Sequence, residues 1–194
     1  MSDGNKPDSI LVFGGNGQMG APAVALLCAR VRATRRHDES VCRGNWYWDH
    51  APRTVETHVR HVVGDRATLA TCDEFRRLVD ETGKFNLVCG LSAYLTGVTS
   101  RASGEILKGH VGVYIVISSD SVYEVSVPKS HEGPSVETDA VRPQDPAEQQ
   151  RLKVADSYGH YKFACEEVLA EQKNKDGGFP YVALRPPDVI GELI

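Results

Sequence analysis

The chain lacks most of what would tie it to a membrane, a disulfide scaffold or a nucleic acid. No apolar stretch approaches the ~20 residues that a spanning helix needs. The start, Met1-Ser2-Asp3-Gly4-Asn5-Lys6, has no apolar signal core. Its five cysteines (Cys28, Cys42, Cys72, Cys89, Cys165) are scattered, with no Cys-x-x-Cys among them. Disulfides and structural zinc are therefore disfavoured, and a reducing, cytoplasmic setting fits best. Positive charge is not in excess: 22 Lys and Arg stand against 26 Asp and Glu, a net charge of −4. That balance makes nucleic acid an unlikely partner, because phosphate neutralisation needs a concentrated basic surface. No internal repeat or low-complexity tract is present. His58 and His61 stand three apart on an expected strand, which sends them to opposite faces rather than to one metal.

What is present is ordinary globular material, 41% hydrophobic and 25% charged, enough in 194 residues for one well-buried domain. Apolar runs of strand length alternate with segments of helical period, which predicts an α/β fold: a doubly wound parallel sheet covered by helices. Strands are expected at residues 9–13, 39–42, 59–63, 86–91, 113–117 and 181–184. Helices are expected at 21–31, at 72–81 stopped by Gly83, and at 158–173 stopped by Asp176-Gly177-Gly178. On the last helix Ala164, Val168 and Leu169 form the expected buried face. Residues 124–156, rich in proline and acid and poor in periodicity, read as a long functional connection or one holding short turns.

Two local patterns carry chemistry. Gly14-Gly15-Asn16-Gly17-Gln18-Met19-Gly20 follows the first strand directly, where glycines let a backbone approach a pyrophosphate at a helix N-terminus. Far downstream, Tyr158 and Lys162 stand four apart on a predicted helix and so share a face. A cation there favours the phenolate, bringing proton exchange closer to neutral pH than a free tyrosine's value of about 10 allows. In a parallel sheet ligands bind beyond the carboxyl ends of the strands. The residues at those ends are the glycines, Asp65 (placed to accept from an adenine amine), Ser92 and Ala93 (small enough to admit a dinucleotide), Ser118 and Ser119, and Pro186 and Pro187. Plainer alternatives exist for each: a tight turn for the glycines, backbone capping for the serines, a half-buried structural tyrosine, a snorkelling surface lysine, and a turn of Asp65 with Gly64. Arg30, Arg32, Arg35 and Arg36 read as a solvated helix end, and Trp46-Tyr47-Trp48 as packing rather than base stacking.

Taken in order, the glycine segment, Gly64-Asp65-Arg66, Ser118-Ser119-Asp120-Ser121-Val122-Tyr123, Tyr158 with Lys162, and Leu184-Arg185-Pro186-Pro187 resemble an extended short-chain dehydrogenase/reductase of the NAD-dependent epimerase/dehydratase group. The resemblance implies a Rossmann-like fold binding NAD or NADP, a hydroxylated small-molecule substrate, and room for a homodimer. It makes Ser119, Tyr158 and Lys162 the catalytic set. Gly14, Gly17, Gln18, Met19, Gly20, Asp65, Arg66, Ser92, Ala93 and Lys162 become the cofactor contacts. Arg43 lies where NAD enzymes place an acid, and an arginine there suits the 2′-phosphate of NADP. The dehydratases' Asp-Glu pair is absent, since Asp120 is followed by Ser121, which disfavours dehydration. Family members continue past the Leu-Arg-Pro-Pro segment into a substrate lobe, so residues 1–194 correspond to the cofactor half, with that lobe missing. The 43–49 stretch and Ser-Asp-Ser-Val-Tyr also resemble a subgroup that includes chloroplast stem-loop RNA-binding proteins. A non-catalytic dinucleotide- or RNA-binding module is therefore the alternative function.

Overall fold

The computed structural model describes residues 9–31, 37–42, 59–64, 66–91, 101 and 104–190. Its centre is β1 (Ser9–Phe13), five residues buried on both faces, as a mid-sheet parallel strand must be. Around it lie β2 (His37–Cys42), β3 (Val59–Val63), β4 (Phe85–Gly90), β5 (Val111–Ile117) and β6 (Tyr181–Leu184). They form one sheet in the order β3-β2-β1-β4-β5-β6, with every pairing parallel. Chain direction across the sheet reverses beside β1, whose neighbours are β2 on one side and β4 on the other. That reversal opens the crevice where doubly wound sheets bind ligands.

The sheet's two faces are covered by different helices. α1 (Gly20–Val31) lays Val24 and Cys28 on Ile10 and Val12. The opposite face carries α2 (Asp73–Thr82), which contributes Phe75, Leu78 and Val79 against Leu11, Phe13 and Val88. Gly83 ends α2 at φ 76° and its N–H donates to the Val79 carbonyl, the helix stop expected there. The long α5 (Ser157–Lys173) continues that face, with Cys165 and Leu169 in the same core as Tyr114 and Val116. At the far end of α5 the Gln172 amide receives the Phe179 N–H at 3.2 Å and donates to the Phe179 carbonyl at 2.9 Å, aligning the chain for β6.

Strand boundaries depart from the sequence reading by a residue or two, chiefly where β2 and β5 each begin two residues earlier. The larger correction falls in 124–156. A short helix, α3 (Ser121–Glu124), leads into that segment, which holds a 3-10 turn (Glu137–Asp139) and the ten-residue α4 (Pro146–Ala155). Helix α4 buries only Leu152, so it carries no apolar stripe for a periodicity argument to find. Its signal is at the ends instead. Asp145 accepts the Ala147 N–H at 3.0 Å and Pro146 occupies the first turn.

Candidate functional site: the crevice above β1 and β5

The glycine segment turns immediately after β1. Gly14 sits at φ 80°, and its carbonyl accepts the Gly17 N–H at 2.9 Å. Helix α1 then starts so close that a Cβ on Gly20 would lie 1.9 Å from the Gly14 oxygen, and one on Gly17 would lie 3.3 Å from it. Backbone fills the space that side chains would occupy, which is the form a pyrophosphate cradle takes. Gln18 and Met19 lie in the same turn, at the mouth of α1. The residues present therefore fit a dinucleotide.

Two strands away, roughly 10 Å at the usual strand spacing, β5 ends in Ser118 and Ser119. Both are buried and they point to different uses. The Ser119 hydroxyl lies 3.1 Å from Asp120 Oδ1 and 3.1 Å from Ser121 Oγ, and it accepts the Ser121 N–H at 3.2 Å. Ser118 Oγ is buried with no hydrogen-bond partner among the described residues.

Helix α5 meets this turn directly. Asp156 ends α4 and caps α5: its N–H donates to the Leu152 carbonyl at 2.8 Å, and its Oδ1 accepts the Gly159 N–H at 2.9 Å. A Cβ on Gly159 would lie 2.3 Å from the Ser121 carbonyl oxygen, so only glycine lets the helix approach. Val122, Val125, Leu152 and Phe163 seal the contact. Tyr158 is consequently held beside the serine turn with 39% of its surface open, while Lys162 is only 2% exposed. The Lys162 ammonium donates to the Ile117 carbonyl at 2.6 Å and lies 5.5 Å from the centre of the Tyr158 ring. A snorkelling surface lysine is excluded by that burial. The i, i+4 pair faces one place, as its spacing requires.

One ion pair that sequence reasoning missed braces the assembly. Arg185, just after β6, donates to both carboxylate oxygens of Glu166 (3.1 and 2.7 Å), to the Tyr123 hydroxyl at 3.0 Å and to the Glu137 carbonyl at 2.9 Å. The bond to Glu166 raises the guanidinium's pKa against the opposing effect of burial. The signal was available: Glu166 stands four residues after Lys162 on α5, and Arg185 lies in a segment already singled out. A second arginine, Arg142, clamps the 125–145 segment to α5 by donating to Glu167 at 2.7 Å and to His160 Nδ1 at 3.2 Å.

Of the other expected contacts, Arg66 opens the 3-10 turn Arg66–Thr71 after β3. Arg43, Asp65, Ser92, Ala93 and the Trp46-Tyr47-Trp48 run lie outside the described residues, as do Arg32, Arg35 and Arg36. Among the described residues no helix is long and apolar enough to cross a membrane, and no cluster of metal-ligating side chains occurs.

No family model matches the chain, and no curated protein does. Solved structures do. The terminal R domain from the myxalamid PKS-NRPS biosynthetic pathway aligns with a TM-score of 0.68 at 20% identity, over 95% of this chain and 50% of that one. The dTDP-glucose 4,6-dehydratase of Bacillus anthracis, in complex with NAD, gives 0.62 at 17% identity, over 91% of this chain and 54% of that one. UDP-glucose 4-epimerase from Bifidobacterium longum, in complex with NAD+ and UDP, gives 0.58 at 19%, over 91% and 52%. At these identities the likeness establishes the Rossmann-like fold, and the chain spans about half the length of the structures it matches.

Proposed function

We propose that the chain is the cofactor-binding part of an NAD- or NADP-dependent oxidoreductase or epimerase acting on a hydroxylated small molecule such as a sugar nucleotide. The observation that carries this reading is Lys162, an ammonium buried at the end of β5 and facing the Tyr158 ring. Burying a charge costs several kcal/mol unless it is compensated, and here the Ile117 carbonyl supplies part of that compensation. Hydride acceptance and return at C4 is the chemistry the nicotinamide would supply. This chain's residues do the rest. Ser119 holds the substrate oxygen, Tyr158 exchanges the hydroxyl proton, and Lys162 favours the phenolate form by its charge. The empty backbone of Gly14, Gly17 and Gly20 receives the pyrophosphate. Arg43 is assigned to a 2′-phosphate, which would select NADP.

The first test is titration with NADH and NADPH followed by fluorescence, and saturable binding of at least one is expected. No binding of either would remove the reading. With sugar nucleotides as substrate, Tyr158→Phe in the full-length protein is expected to lower turnover by about 10²–10⁴ while cofactor affinity stays within twofold. Full turnover in that variant would eliminate the mechanism.

A further inference from the structure

We propose that the corner between α4 and α5 is a binding site for a phosphate monoester, formed by Lys153, His160 and Tyr161. Asp156 ends one helix and caps the next, which folds Lys153 back onto the following helix. The Lys153 ammonium lies 5.3 Å from the centre of the Tyr161 ring, and the His160 ring meets Tyr161 edge-on at 5.5 Å and 82°. All three belong to one small surface.

Their polar atoms can all donate. Arg142 donates to His160 Nδ1, so the imidazole hydrogen sits on Nε2 and the remaining polar atom of the ring is a donor. Lys153 has no carboxylate partner among the described residues and rests over the Tyr161 ring. Glu167, the carboxylate that acts on His160, is engaged by Arg142 Nε at 2.7 Å. An ammonium, an imidazole N–H and a phenol, each able to donate, thus gather around one ring, with a guanidinium on the other imidazole nitrogen. Such a set suits a ligand that only accepts. A phosphate monoester offers three oxygens and close to two charges, whereas a carboxylate offers two coplanar oxygens and one. Burial, then Arg142 and Lys153, hold the His160 pKa below its ordinary 6.5, with Glu167 opposing. A bound dianion would reverse that balance, which makes His160 a reporter of its own site.

Tyr161 follows Tyr158 by three residues on α5, close to one helical turn of about 5.4 Å. A phosphate held at the corner would therefore leave the hydroxyl-bearing end of the same molecule at Tyr158. This part of the inference rests on the proposed dehydrogenase reading and names its substrate class: phosphorylated hydroxy compounds.

The test follows the His160 ring C–H signals by NMR, assigned by their loss in His160→Gln, while inorganic phosphate replaces chloride at constant ionic strength. A saturable shift is expected, together with a rise of roughly half a unit or more in the His160 pKa. Lys153→Met should weaken the phosphate midpoint by about tenfold, and Lys153→Arg should restore it. A non-saturating response, an equal response to acetate, or a midpoint unchanged in Lys153→Met would overturn the assignment. NADH fluorescence on the unsubstituted protein reads the other crevice independently. If NADH binds and His160 ignores phosphate, only the anion site fails. If His160 responds and NADH does not bind, the anion site stands and the dehydrogenase reading falls.

Discussion

The glycine turn after β1 and the serine turn after β5 lie two strands apart on one rim, and a helix glycine packs against a backbone carbonyl in each. Gly20 abuts the Gly14 oxygen and Gly159 the Ser121 oxygen, with no room for a Cβ in either place. What surrounds the two contacts differs. The first is complete within seven consecutive residues, carries no ionisable side chain, and is held by backbone bonds. The second joins three distant segments, 118–123, 156–166 and 184–187, and is held by the buried charges of Lys162 and Glu166 and the half-buried Arg185. Under the proposed function the first end would receive phosphate, which calls for backbone N–H groups with no side chains in the way. The second would move protons, which calls for placed side chains, and these must come from several elements.

The largest expected effect tests the shared device. Gly20→Ala would set a Cβ 1.9 Å from a backbone oxygen that cannot rotate away, and it should cost about 3 kcal/mol or more of stability. Gly159→Ala, at 2.3 Å from an oxygen in the four-residue α3, should cost less because that short helix can shift. Calorimetric melting of both variants ranks them, and the opposite order would break the comparison.

Next in size is the charge that only the second region uses. Arg185→Met leaves Glu166 buried and unpaired, at a cost of about 3 kcal/mol. Adding Glu166→Leu should recover more than half of it in urea unfolding. Arg60→Met, which breaks the exposed pair with Glu81, should cost about 0.5 kcal/mol or less.

Smaller again is the contrast between two buried serines. Ser118→Ala removes a hydroxyl that has no partner among the described residues and should fall within about 1 kcal/mol of neutral, on the stabilising side. Ser126→Ala deletes a 2.7 Å bond to the Val122 carbonyl and should cost about 1 kcal/mol. Equal losses would show that the Ser118 hydroxyl is satisfied.

The smallest effect is a pH slope. His160 is held below 6.5, chiefly by burial. As pH falls through 6.5 the unfolded chain therefore takes up that proton first, and stability declines until the folded value is passed. His131 is raised, first by its bond to the Glu132 carbonyl and then by Asp139. Its contribution is fully present below 6.5 and is lost as pH rises through the folded value. Between about pH 5 and 8, His160→Gln should flatten the acid-side loss of melting temperature and His131→Gln should deepen it. Slopes moving in the same direction would refute one of the two assignments.

Much of this was readable in the residues because the signals are local. Ile10 to Phe13 is an apolar run followed at once by glycine, and a strand feeding a tight turn is the physical consequence. Val59–Val63 and Tyr181–Leu184 begin and end where their flanking turn residues indicate. Helix α4 escaped because a helix lying on the surface needs no apolar stripe, and its Asp145-Pro146 start is a two-residue cue within a long acidic stretch. The Arg142–His160 bond escaped for a different reason: it joins residues eighteen apart through a segment with no periodicity.

By itself the sequence determined the alternation of strand and helix, the glycine cradle, and the spacing that puts Tyr158 and Lys162 on one face. These follow from backbone geometry within a few residues. Tertiary structure alone decided that the Lys162 ammonium is buried against Ile117 rather than solvated, that Arg185 joins Glu166 to Tyr123, and that Lys153 turns back onto Tyr161. Each of those outcomes depends on closing a long loop of chain. Its cost is conformational entropy, and its gain is the packing and charge compensation found only in the assembled fold.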